Sequence, residues 1–169
     1  ELLKIANEQD PLLLSLGGGA KDIEVRVIDT EMSQMIIVHL LVDTKDAMGP
    51  NIVNTMAEAV APKIREIADA GTVYLRIVSN LAVHRLARAW ALFPSKTLGG
   101  EDVVDGILYA YAFASADPYR CATHNKGIMN GIAAVVQATA NDTRAIEAGA
   151  HAFASIHGRY APLTCWEKN

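Results

Sequence analysis

An α+β fold is what this sequence predicts, and three patterns predict it. Apolar and polar residues alternate along Asp22 to Val27 and again along Thr72 to Ile77, the period of half-buried strands. Between them, Ile52, Val53, Met56, Ala57, Val60, Ala61, Ile64 and Ile67 fall on one face of a helix. From Glu101 onward the pattern is helical. With 169 residues, 51% of them hydrophobic, the chain is long enough to bury a real core.

Leu2, Leu3, Ile5 and Ala6, then Leu12 to Leu14, predict a short helix broken near Asp10-Pro11, because proline disfavours helix at the residue before it. Gly17 to Gly19 form a turn. They are no G-x-G-x-x-G fingerprint, since a strand rather than a helix follows. Ile23, Val25 and Val27 lie in a first strand, Met35 to Val42 make a more fully buried second one, and Asp29 to Gln34 join them as a hairpin. The run Asp46 to Asn51 opens the long amphipathic helix, which Gly71 ends. Val73, Leu75 and Ile77 give a third strand, and Val83 to Phe93 a fourth extended segment. Val103, Val104, Ile107, Leu108 and Tyr111 share a helix face that stops at Asp117-Pro118. A second helix is expected from about Asn125 to Ala138 and a third from about Asp142 to Ile156. The Pro- and Gly-containing stretch Pro94 to Gly100 is the candidate boundary, dividing residues 1–93 from 94–169.

A net charge of −4 and no dense Lys/Arg block argue against a nucleic-acid partner. Cys121 and Cys165 are too few for a disulfide framework and suit a reducing compartment, with the cytoplasm as the default location. No stretch reaches the roughly 20 apolar residues of a spanning helix. No signal peptide is recognisable, and Glu1 to Leu14 reads as mid-helix, which points to a piece of a longer protein.

Three groups of residues carry candidate chemistry. Asp46 to Asn51 place a glycine and an amide at a helix start, where free N–H groups and the positive dipole end favour an anion such as a pyrophosphate. The plainer reading is that Asp46 or Asn51 caps the helix and Pro50 fills its first turn. Lys126 falls near the start of a predicted helix, where the dipole disfavours a cation; stabilising a developing oxyanion would justify that cost, and Asn130 would share its helix face. The alternative is a solvated surface lysine. Asp142 precedes the third helix as either an N-cap or a partner that tunes Lys126. Their proximity needs the second helix to turn back or another subunit to intervene. Cys121 and His124, three apart with no second ligand pair, are read as packing residues, so no metal is expected. His39 is read as a core or edge histidine, and His84, His151 and His157 as surface or helix positions.

The strings Asp46-Ala-Met-Gly-Pro-Asn51, Asp117-Pro-Tyr-Arg120, Thr123-His-Asn-Lys-Gly-Ile-Met-Asn-Gly131, Asn141-Asp142 and Ala145-Ile-Glu-Ala-Gly-Ala-His151 together resemble class II 3-hydroxy-3-methylglutaryl-CoA (HMG-CoA) reductase, in order and spacing, over nearly the whole chain. The resemblance implies a partial ferredoxin-like nucleotide-binding small domain ending near Phe93, its first strand missing, followed by helices of a larger catalytic domain. It also implies that Asp46, Met48, Gly49 and Asn51 form a non-Rossmann dinucleotide motif. Asp10 matches the aspartate that contacts the adenosine ribose 2′-hydroxyl, favouring NAD over NADP by repelling a 2′-phosphate. Asn80 matches a position near the cofactor.

The same resemblance makes Lys126 the lysine that polarises the thioester and then the aldehyde carbonyl, Asp142 the aspartate that tunes it and Asn130 part of their network. Arg120 becomes the guanidinium that grips the substrate carboxylate. The implied reaction interconverts HMG-CoA and mevalonate, with release or uptake of coenzyme A, in a homodimer or higher homo-oligomer whose active site spans the subunit interface. Pro50, Ala133 and Ala140 depart from the family pattern. The family's catalytic glutamate falls upstream of Glu1 and its catalytic histidine downstream of Asn169, so residues 1–169 alone are expected not to turn over. The competing readings are a noncatalytic helical scaffold and a CoA-dependent binding or acyl-transfer module.

Overall fold

The computed structural model describes residues 1–69 and 71–169, grouped into two compact units, Glu1–Val78 and Ser79–Asn169. Residues 79–93 therefore group with the helical unit, whereas the composition shift at Pro94 suggested a later division.

The first unit opens with α1 (Leu2–Asn7) and α2 (Pro11–Ser15). Asp10 separates them: its Oδ1 accepts from Leu13 N–H at 2.8 Å, and Pro11 occupies the first helical position, where a missing N–H costs nothing. The hairpin follows as β1 (Gly19–Asp29) and β2 (Gln34–Asp43), antiparallel in register Gly19↔Asp43 to Asp29↔Gln34 with an irregularity between Ala20 and Asp22. Its turn is closed by Thr30, whose N–H and hydroxyl both donate to the Ser33 carbonyl.

Only the base of the hairpin reaches the core. Leu40 and Val42 pack with Ala6, Leu13, Ala20, Met56 and Val60, while Val25 and Val27 stay 61% and 57% exposed. The alternation of β1 thus correctly marks a strand, but its apolar side has no covering layer within this unit. Asn7 fastens α1 to β1, its Oδ1 accepting from Ala20 N–H at 2.7 Å and its Nδ2 donating to the Ala20 carbonyl.

The long helix α3 (Pro50–Ala68) buries Met56, Val60 and Ala61 along the predicted stripe and tolerates Pro62 within it. Asp69 caps it in a left-handed conformation, two residues before the glycine expected to stop it. The expected third strand is not formed, and the segment Val83 to Phe93 joins no sheet. Among the described residues only β1 and β2 pair, and residues 71–78 run without a ladder. Alternation marks a chain fit to be a strand, but a strand exists only with a partner backbone. Val78 N–H is satisfied instead by Asn54 Oδ1 at 2.7 Å, and Arg76 pairs with Glu58 of α3.

In the second unit, α4 (Ser95–Leu98) leads into α5 (Glu101–Ala116), α6 (Pro118–Ala138) and α7 (Thr143–Ala154). α6 begins seven residues earlier than the sequence pattern suggested. Asp117 ends α5 and, in an extended conformation imposed by the following proline, caps α6 by accepting from Arg120 N–H at 2.7 Å. The same Asp-Pro pair is both stop and start. Lys126 consequently stands in the third turn of α6, so the dipole cost attributed to it does not apply.

The C-terminal segment lies back over the helices. Asn125 is fully buried, donating to the Ala161 carbonyl at 2.9 Å and accepting from Leu163 N–H at 2.8 Å. His124 Nε2 meets Thr164 Oγ1 at 2.7 Å, Arg159 reaches the Ser115 carbonyl, and Lys168 pairs with Glu101 and Asp105 of α5.

Candidate active site

The candidate residues divide between the two units. In the first, the chain turns sharply between β2 and α3. Thr44 and Ala47 exchange hydrogen bonds across the turn, Thr44 Oγ1 donating to the Ala47 carbonyl and Ala47 N–H to the Thr44 carbonyl. Gly49 then takes the cap position of α3 at φ 103°, and a Cβ there would lie 2.8 Å from Thr44 Cγ2. No side chain caps α3, so neither Asp46 nor Asn51 plays the capping part. Pro50, the departure noted in the sequence, sits at the first helical position with no N–H to offer. Asp46, Met48 and Asn51 are exposed around this opening. Asp10 lies in the same unit, committed through Oδ1 to α2.

The second unit holds Arg120, Lys126, Asn130 and Asp142. α6 and α7 are neighbouring helices joined by residues 139–142, and a cavity of about 170 Å³ opens between them. Lys126, Met129, Asn130 and Ala133 line it from α6, and Thr143, Glu147 and His151 from α7. Lys126 and Asn130, one turn apart, thus share a wall.

Asp142 stands beside this cavity rather than in its lining. Its Oδ1 accepts from both Arg144 N–H at 3.0 Å and Ala145 N–H at 3.1 Å, the N-cap geometry. Oδ2 makes no hydrogen bond or ion pair among the described residues, and none joins Asp142 to Lys126. The side chains of Lys126 and Asn130 likewise have no such partner among the described residues. The loop that delivers Asp142 is a tight helix terminus: Ala140 N–H donates to the Gln137 carbonyl and Asn141 N–H to the Val136 carbonyl, with Ala140 left-handed at φ 54°.

Arg120 is half-buried on α6, its backbone in the Asp117 cap, and it does not line the cavity. Its charge bears on His124, whose imidazole is held below its ordinary value of 6.5 first by burial and then by that guanidinium. Burial also pushes the Cys121 thiol up, as expected of an inert packing residue. Asn80 belongs to this helical unit, not to the unit of Asp46. Its carbonyl packs so closely on Gly149 of α7 that a Cβ there would overlap it. Among the described residues no group of three His, Cys, Asp or Glu side chains could hold a metal.

Sequence reasoning passed over Thr143, Glu147 and His151. The signal was present as the one-turn spacing of Glu147 and His151, which puts both on a single face of α7.

The family model for hydroxymethylglutaryl-coenzyme A reductase matches residues 1–169. The chain belongs to this reductase family. It is 66% identical over 167 residues to the 3-hydroxy-3-methylglutaryl-coenzyme A reductase of Archaeoglobus fulgidus, covering 99% of this chain and 38% of the archaeal protein. A probable reductase of Borreliella burgdorferi is 38% identical, with 95% and 38% covered. Among solved structures, a Streptococcus pneumoniae HMG-CoA reductase superposes with a TM-score of 0.90 at 43% identity, covering 99% of this chain and 41% of that one. The class II pneumococcal enzyme bound to NADPH in open conformations gives 0.88 at 44% identity, with 98% and 41% covered. The chain spans about two fifths of the length of these reductases.

Proposed function

We propose that the protein carrying this chain is a nicotinamide-dependent reductase interconverting HMG-CoA and mevalonate. The observation that carries the proposal is the cavity between α6 and α7, where Lys126 and Asn130 stand side by side in a chain of the reductase family. In the reductive direction one thioester, two reduced nicotinamides and two protons give mevalonate, coenzyme A and two oxidised nicotinamides.

The Lys126 ammonium, aided by the Asn130 amide, stabilises the negative charge that develops on the thioester oxygen and then on the aldehyde oxygen. Asp142, which caps α7 through Oδ1, brings a carboxylate to the end of the cavity that Lys126 lines, its Oδ2 left uncommitted by the capping bonds. Arg120 binds the substrate's free carboxylate. The start of α3 suits a dinucleotide phosphate: no side chain caps it, and the turn before it is exposed at Asp46 and Met48. Asp46, Met48 and Asn51 surround that opening, with Asn80 a further cofactor position. The nicotinamide, when bound, supplies the hydride. We take NADH as the preferred donor on the charge of Asp10, which would repel a 2′-phosphate. Since the pneumococcal relative holds NADPH, both are to be compared.

The reading extends to a homodimer or higher homo-oligomer, supported by Tyr109, Phe113 and Tyr119, which α5 and α6 leave exposed as apolar surface. Its location is the cytoplasm, and its partners are HMG-CoA or mevalonate and coenzyme A, with no nucleic acid. No helix among the described residues is long and apolar enough to cross a membrane.

The test is HMG-CoA-dependent oxidation of NADH and NADPH by the full-length protein and its Lys126→Met variant. Two nicotinamides oxidised per coenzyme A released, with turnover falling about 10³-fold in the variant while dinucleotide binding persists, is the expected result. Release of coenzyme A with no change in nicotinamide absorbance would instead make the protein an acyl-transfer module.

A further inference from the structure

His151 is the cavity residue whose surroundings are most constrained. It lines the space opposite Lys126 and Asn130, from the α7 wall. One of its ring nitrogens is spoken for: Nδ1 lies 2.9 Å from the Tyr160 hydroxyl, with the two rings 5.9 Å apart. A phenol is the better donor of the two groups, so we assign the Tyr160 O–H as donor to Nδ1, the tautomer that carries the ring proton on Nε2. That second nitrogen has no partner among the described residues.

Tyr160 is itself held. It precedes Ala161, whose carbonyl accepts from the fully buried Asn125, and Ala161 N–H donates to the Ala154 carbonyl at 2.8 Å. Leu163 N–H returns a second bond to Asn125. A chain of hydrogen bonds therefore runs from α6, immediately beside Lys126, out to the C-terminal segment and back to His151 on α7. It fixes the imidazole as the cavity wall requires.

With Nε2–H available, three donor groups face the same 170 Å³ space: the Lys126 ammonium, the Asn130 amide and the His151 imidazole, with Thr143 and Glu147 alongside. A donor-rich site of this kind suits a ligand portion built of acceptor oxygens, a carbonyl or carboxylate. We propose that His151 is a further substrate-binding residue, its Nε2–H donating to an oxygen of the acyl part of the thioester substrate, with Tyr160 as its positioning residue. The proposal rests on the reading of the Lys126 cavity as the substrate site.

The experiment compares full-length wild-type protein with His151→Ala, His151→Gln and Tyr160→Phe, measuring KM for HMG-CoA and for the nicotinamide, the Kd for HMG-CoA by calorimetry, and the thermal midpoint. A glutamine amide can place a donor near the position of Nε2, whereas alanine cannot. Expected are a rise of about tenfold in KM and Kd for HMG-CoA in His151→Ala, the contribution of one hydrogen bond to an oxygen. Partial recovery in His151→Gln, a smaller rise in Tyr160→Phe and an unmoved nicotinamide KM complete the pattern. Unchanged HMG-CoA affinity in His151→Ala would overturn the proposal while leaving the cavity reading intact. So would equal losses in alanine and glutamine that track a lowered thermal midpoint, the signature of a purely structural histidine. Wild-type protein that neither binds nor turns over HMG-CoA would instead remove the cavity reading and this proposal with it.

Discussion

The helices α3 and α7 both start just after a tight turn, and the two starts are finished in opposite ways. At α7 a carboxylate is built in: Asp142 Oδ1 accepts from two backbone N–H groups of the first turn. At α3 no side chain caps the helix, Gly49 occupies the cap position, and Pro50 has no N–H. A helix start leaves up to four donors to be satisfied. At α7 a side chain of the protein satisfies two of them; at α3 no side chain does so. The first arrangement fixes a loop beside Lys126. The second leaves the start of α3 without a side-chain cap, where the proposed dinucleotide phosphate would sit.

The largest effect expected from breaking this contrast is at Gly49. In Gly49→Ala a Cβ meets Thr44 while the backbone holds φ 103°, so unfolding free energy should drop by about 3 kcal/mol and dinucleotide affinity should fall with it. Chemical denaturation and a dinucleotide titration of the full-length protein check both. An unmoved affinity would mean that the open start of α3 does not hold the cofactor.

The converse change sharpens the α7 side. Ala140 forms the turn before Asp142 with a left-handed backbone that costs a residue with a Cβ roughly 1 kcal/mol. Ala140→Gly should therefore raise the denaturation midpoint, stabilising by about 1 kcal/mol with the Asp142 cap intact. Ala140, one of the departures from the family pattern, thus meets with a Cβ a conformational demand that glycine meets at less cost.

A smaller effect depends on pH. Since the folded-state value for His124 lies below 6.5, the folded protein binds the proton less readily than the unfolded chain. Its contribution is fully present above pH 6.5 and is lost as pH falls below it. The thermal midpoint should decline from pH 7 to pH 5 in the wild type and more shallowly in His124→Gln. Equal slopes would show that burial of this ring does not control the C-terminal segment it touches through Thr164.

The two starts also show what sequence can and cannot disclose. The stripe of α3, the hairpin and the division of α1 from α2 at Asp10-Pro11 were legible, because each rests on periodicity or on local backbone rules. The absent third strand was not: Val73 to Ile77 alternate as a strand should, but alternation is silent about the partner backbone. The start of α6 was missed because Pro118 reads as a stop from one side and as a first helical residue from the other. Lys126 and Asn130, singled out by their one-turn spacing and a family motif, line one cavity. Glu147 and His151 have the same spacing, yet only the return of α7 along α6 puts them across a cavity from that lysine.

Asp142 carries the sharpest test, because its cap on α7 and its proposed part in turnover are separable. Replacing it with asparagine keeps an oxygen that caps α7 about as well while deleting the negative charge at Oδ2. For full-length Asp142→Asn, an unchanged thermal midpoint together with turnover of HMG-CoA reduced by at least about 10²-fold is the predicted outcome. Wild-type turnover in that variant would contradict it, leaving Asp142 a helix cap and Lys126 without its carboxylate.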